Sequence, residues 1–262
     1  MKHRKLLTAL LVMTMVLSAA CGAGGEGNAI STEAGEDMNY TNVEMTDREI
    51  ELLCENYTDE DRIRNGQLWE HQYAALLELR ACMGYLEQKY PGLTVEAVRF
   101  TPAPKSSQTA VLDVTVPGDS ADYKVYLKYG ADGAYIITET VYGHVLRPAY
   151  DERVAAVLRA GGIDAKCYTV FNSPAGDEIG PGTSVDELLA MGGANVRFTD
   201  LFTADTEDRE ALAAKAAAIL AENGLYASYE LDFAPGFASL TPEDLEAGRS
   251  GYEYVSFVCK AD

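Results

Sequence analysis

Two histidines beyond the first twenty residues, His71 and His144, are the side chains best suited to acid–base chemistry near neutral pH. Nucleophilic catalysis would need a Ser or Cys within reach of such a base. No HExxH, G-x-S-x-G or S-x-x-K occurs in the chain, so neither histidine has a partner motif. Both read as surface or junction residues. Cys54, Cys82, Cys167 and Cys259 contain no CxxC pair and so build neither a zinc knuckle nor a thioredoxin-like site. Each stands among apolar neighbours, which suits a small buried hydrophobe. Four buried thiols are expected, with Cys167–Cys259 the pairing if a bridge forms. Gly176 to Ser184 superficially suggests a phosphate loop, but it lacks the lysine. Pro181 removes a donor there, and Asp177 and Glu178 would repel a phosphate. Acids at Asp59–Asp61 and at Asp205, Glu207 and Asp208 precede helices, where they complement the dipole; the calcium-loop pattern is missing. Carboxylates could still meet in space for glycoside cleavage, yet a single Trp is poor material for a sugar-stacking cleft. No metal, cofactor or catalytic residue is assigned. The remaining candidates are tyrosines on neighbouring strands: Tyr123, Tyr126, Tyr135 and Tyr142. They read either as cross-strand packing or as a binding face.

Capping patterns and periodicity organise these residues. Thr46-Asp47-Arg48-Glu49 is a capping box ahead of a short amphipathic helix. A second start at Thr58–Asp61 predicts a longer helix to about Tyr90, with Trp69, Leu76, Leu79, Met83 and Leu86 buried and Pro91-Gly92 as the stop. Four strand-like runs follow, over 93–100, 109–116, 123–129 and 134–142. In the third, Tyr123, Val125, Leu127 and Tyr129 share one face, while Lys124, Tyr126 and Lys128 share the other. Pro148 is placed in the first turn of a helix to about residue 160. Helices and strands then alternate: strands over 165–171, 194–202, 225–233 and 253–260, and helices from Ser184, Thr206 and Thr241. The fold class is α+β: a helix with a four-stranded antiparallel meander over 46–146, then a second mixed unit over 147–262. A helix followed by a meander resembles the layout of cystatin-like and NTF2-like folds in topology alone.

The chain is acidic, with 41 Asp and Glu against 21 Lys and Arg and a formal charge of −20. That balance excludes nucleic acid, whose phosphates demand clustered cations, and argues against electrostatic adhesion to anionic lipid. The N-terminus supplies an address. Lys2, Arg4 and Lys5 precede an apolar run from Leu6 to Leu17, and Ser18-Ala19-Ala20 lead into Cys21. These are the parts of a secretory signal, and the run falls short of the ~20 residues that span a bilayer. Leu17-Ser18-Ala19-Ala20-Cys21 resembles the lipobox of bacterial lipoproteins. The resemblance implies lipid attachment at Cys21 and removal of residues 1–20, although Ser18 stands where that family most often has Leu. Ordinary cleavage after Ala20 is the alternative. Residues 22–44 are small, polar and acidic; they read as a flexible tether over 21–45, reaching roughly 25–30 Å.

The expected protein is therefore an acidic globule held on the outer, extracytoplasmic face of a bacterial membrane by an N-terminal lipid. It is expected to be a non-enzymatic binding or accessory protein with a protein or peptide partner in the envelope. The alternatives are an envelope hydrolase built from scattered acids and His144, and the solute-binding component of a transporter.

Overall fold

Local chemistry starts the first helix, α1 (Asp47–Cys54), where it was expected. The Thr46 hydroxyl accepts from the Glu49 amide, and the Glu49 carboxylate accepts from the Thr46 amide at 2.8 Å. The computed structural model of the chain describes residues 39–103, 109–171, 173–191, 196–247 and 252–260. Cys21 and most of the expected tether lie outside them. Asn39–Tyr40, which fall within the expected tether, instead form strand β1 and pair with β2 (Leu68–Trp69). Tyr40 stacks on Tyr73 with ring centroids 4.0 Å apart.

The single long helix expected up to Tyr90 is divided. A short α2 (Glu60–Arg64) is followed by a turn at Gly66, whose φ is +67°. A side chain there would stand 2.7 Å from the Val43 carbonyl, so both conformation and space require glycine. After β2, α3 runs over Glu70–Lys89 and buries Ala75, Leu76, Leu79, Cys82 and Leu86. Trp69 precedes this helix instead of lying on its stripe, and Arg62 stacks over its ring at 4.0 Å.

The meander forms as expected, in the order β3 (Glu96–Thr101), β4 (Thr109–Thr115), β5 (Tyr123–Tyr129), β6 (Tyr135–Glu139). Its inner face buries Phe100, Leu112, Val114, Val125 and Leu127, with α1 and α3 against that face. Truncating one such side chain to alanine would cost about 2–5 kcal/mol.

The second sheet is mixed. Its order is β10 (Glu253–Val258), β9 (Ser228–Phe233), β8 (Val196–Thr203), β7 (Lys166–Phe171), and only β8 and β9 are parallel. The crossover joining that parallel pair is α6 (Arg209–Glu222), as parallel pairing requires. The helix expected from Pro148 begins earlier: α4 spans Tyr142–Ala160 with Pro148 inside it. A proline there withdraws the donor that the His144 carbonyl would otherwise receive. Short helices α5 (Val185–Ala190) and α7 (Pro242–Ala247) complete the fold. Ser184 caps α5 through a box with Glu187.

Residues 39–262 form one unit by their contacts, and one apolar cluster runs from Leu52 through Leu127 and Val154 to Cys259. A buried ion pair ties α3 to the start of α4. Glu139 accepts from Lys89 Nζ at 2.7 Å, from the Tyr90 hydroxyl at 2.6 Å and from the Tyr142 amide at 2.9 Å. Lys89 also donates to the Gly176 carbonyl at 2.6 Å. Cys54, Cys82, Cys167 and Cys259 are free thiols. No helix among the described residues is long and apolar enough to cross a membrane.

Candidate functional site

The four candidate tyrosines occupy different surroundings. The alternation read in β5 holds: Tyr123 is buried on the inner face, and Tyr126 is half-buried on the outer face between Val111 and Thr138. Tyr135 is 39% exposed at the start of β6, edge-on to Tyr129 at 5.4 Å. Tyr142 is fully buried, donates to the Ser173 carbonyl at 2.9 Å and packs on Phe171. They do not share one face. His71 is exposed and lies edge-on to Tyr57 at 5.3 Å.

His144 is placed differently. Its Nδ1 lies 2.6 Å from Asp119 Oδ2, in the turn between β4 and β5. Asp119 is also the acceptor for the Tyr123 hydroxyl at 2.5 Å, the Ala121 amide at 3.0 Å and Arg147 Nη2 at 3.0 Å. Arg147 donates further to the hydroxyls of Tyr123 and Tyr168, and its guanidinium lies over the Tyr168 ring at 4.7 Å. Asp119, His144, Arg147 and Tyr168 border a cleft of about 370 Å³, with Pro148 and Asp151 of α4, Cys167 of β7, and Pro242 and Leu245 of α7 on its other walls. That volume suits a small solute.

The electrostatics follow from this crowding. Burial alone would raise the Asp119 carboxyl. The bonds from Tyr123, His144 and the Ala121 amide, with the Arg147 charge, outweigh burial and hold it well below the usual carboxylate range. Burial followed by the Asp119 bond pushes the Tyr123 hydroxyl far above its ordinary value. Asp151 goes the other way: burial pushes its carboxyl up to about 6, against bonds from Thr169 and the charge of Arg147. Its Oδ1 is closed to solvent without a hydrogen-bond partner. Burial also pushes the Cys167 thiol up, so it is no thiolate at neutral pH.

A carboxylate on Nδ1 fixes an imidazole and leaves Nε2 to exchange a proton. The arrangement can therefore orient a polar ligand or activate a water. Among the described residues that border the cleft there is no Ser or Thr, and its thiol, Cys167, is held protonated by burial.

Reading the sequence identified His144 but not Asp119, Arg147 or Asp151. The missed signal was spacing. His144, Arg147 and Asp151 stand at i, i+3 and i+7 on one helix face, which is visible only if the helix begins before Pro148. Asp119 comes from a turn 25 residues earlier, and no local pattern joins it to α4. The Gly176–Ser184 loop is pinned as a surface loop: Asp177 accepts from the Tyr85 hydroxyl, and the Gly180 amide donates to Thr183. Among the described residues, no group of three or more His, Cys, Asp or Glu converges to hold a metal. No family model, curated protein or solved structure matches this chain.

Proposed function

We propose that this chain is a lipid-anchored bacterial lipoprotein on the extracytoplasmic face of the membrane, acting as a non-enzymatic binding or accessory protein. The lipobox-like stretch ending at Cys21 supports the address. The cleft beside Asp119, His144 and Arg147 is the ligand site in this reading. One observation carries it: a largely buried Asp–Arg pair, shared with a histidine and two tyrosines, borders a concave surface of ligand size. A buried ion pair adds little net stability compared with apolar packing, whereas converging polar groups in a cleft suit recognition.

The test is a thermal-shift panel of amino acids, dipeptides, monosaccharides and inorganic phosphate on the full chain. At a hundredfold excess over Kd, a specific solute adds about 2.7 kcal/mol. That is roughly 5–10 °C in Tm for a chain of this size. One class should raise the melting point of the wild type but not of His144→Ala or Asp151→Ala. Equal shifts in all three proteins, or none in any, would end the assignment of the cleft.

The 2.6 Å contact between His144 and Asp119 also favours a second reading, an envelope hydrolase in which His144 takes a proton from water. Turnover of a cell-wall or peptide substrate that disappears in both His144→Ala and Asp119→Asn would replace the first reading with this one.

A further inference from the structure

A second concavity, away from the cleft, has a different chemistry. It is a groove of about 750 Å³ between α1, the middle of α3 and β3. Leu52, Leu79, Met83 and Ala97 give it an apolar lining. Gly84 stands in the interior of α3 on this groove. Glycine weakens a helix interior relative to alanine. Nothing in the fold demands it, because a Cβ at Gly84 would meet no atom within 4 Å. Contrast Gly66, where a carbonyl forbids a side chain. Open space over a bare helix backbone suits the close approach of another chain.

The edge of β3 restricts what that chain is. Strand addition would use the outward carbonyls of β3. Arg48 already occupies two of them, donating to the Ala97 carbonyl at 2.9 Å and the Val98 carbonyl at 2.6 Å. A register irregularity between Ala97 and Arg99 further disrupts the edge. An occupant must therefore pack through side chains, as a helix does. The rim sets its charge. Arg48 is paired with Glu51 and Arg80 with Glu49. Glu87 and Glu96 also border the groove, and neither forms an ion pair among the described residues. The uncompensated charge is negative, as is the whole chain.

We infer that the groove seats a basic amphipathic helix of a partner protein, with apolar side chains on Met83, Ala97 and the exposed Val98, the closest approach over Gly84, and Lys or Arg beside Glu87 and Glu96. This goes beyond the solute cleft and does not depend on it.

The test uses the full chain and two fluorescein-labelled 18-residue model helices, one of Leu and Lys and one of Leu and Glu, read by anisotropy. The Leu/Lys helix should bind and the Leu/Glu helix should not. Gly84→Gln removes no charge and adds a good helix former, so it should melt no lower than wild type while weakening binding at least tenfold. The double reversal Glu87→Lys with Glu96→Lys should weaken binding further. Failure of the Leu/Lys helix to bind overturns the inference. So does equal binding by wild type and Gly84→Gln, which would mark diffuse attraction to an acidic protein. A concentration-dependent dimer that Gly84→Gln abolishes would assign the groove to a second copy and overturn it as well.

Discussion

Glu139 and Asp119 are both buried carboxylates of the meander that meet a cation from a helix, Lys89 of α3 and Arg147 of α4, yet they are built for different ends. Around Glu139 every strong group is answered: Lys89, Tyr90 and the Tyr142 amide converge on it, and Lys89 is itself 7% exposed. Around Asp119 the bonding is as dense, but the cluster opens on a cleft. His144 keeps 30% of its side chain exposed there, and Asp151 one turn beyond Arg147 holds its proton up to about pH 6. A sealed network specifies geometry. A network with an open side and a titratable neighbour is material for a binding site.

Breaking the sealed network should have the largest effect. Lys89→Ala leaves Glu139 buried without its cation, and the expected loss is about 3–5 kcal/mol by urea unfolding. Lys89→Met with Glu139→Gln, which keeps an acceptor for the Tyr142 amide and a partner for the Tyr90 hydroxyl, should recover most of it. Recovery would show that the pair supplies orientation more than stability, and failure would make it a stabilising device after all.

Asp119→Asn should cost less, roughly 2–3 kcal/mol, because its one oxygen can still accept from the Ala121 amide, while the Tyr123 hydroxyl, bonded to the other carboxylate oxygen, can turn to accept from the new amide. It carries a pH signature. The folded carboxyl lies below its unfolded value of about 3.9, so its contribution is complete above that value and is lost as pH falls through the lower folded one. Acid unfolding of Asp119→Asn should lack that component.

Asp151→Asn should have the opposite sign. Its carboxyl is raised to about 6, so the fold favours the protonated form, and stability declines as pH rises from about 4 through 6. The amide mimics the neutral acid. A gain of up to about 3 kcal/mol at pH 8 and none at pH 4 is expected. Destabilisation at pH 8 would show that the carboxylate is wanted charged. His144→Ala should change stability least, by under about 1 kcal/mol, since its ring is partly solvated. Its effect belongs to ligand response in the thermal-shift panel.

The comparison also explains what could be read from residues alone. Local signals held: the boxes at Thr46 and Ser184, the alternation of β5 and the stop at Pro91-Gly92 depend on neighbours within a few positions. Non-local ones did not. Gly66 turns the backbone out of the expected helix with φ +67°, at a place where the Val43 carbonyl leaves no space for a side chain, and α4 begins six residues before Pro148 because Glu139 receives the Tyr142 amide at its start. The site suffered most, since Asp119 and His144 meet only when the meander packs on α4. The parallel pairing of β8 with β9 likewise comes from a crossover whose helix was visible but whose partner order was not.

The address is the central claim, and the intact mass of the mature N-terminal peptide tests it most directly. Purified from membranes of the producing cell, the chain should begin at Cys21 and carry the added mass of a thioether-linked diacylglycerol, with Cys21→Ala losing both modification and membrane retention. A chain that retains residues 1–20, or begins at an unmodified Cys21 and fractionates with the aqueous phase, would contradict it.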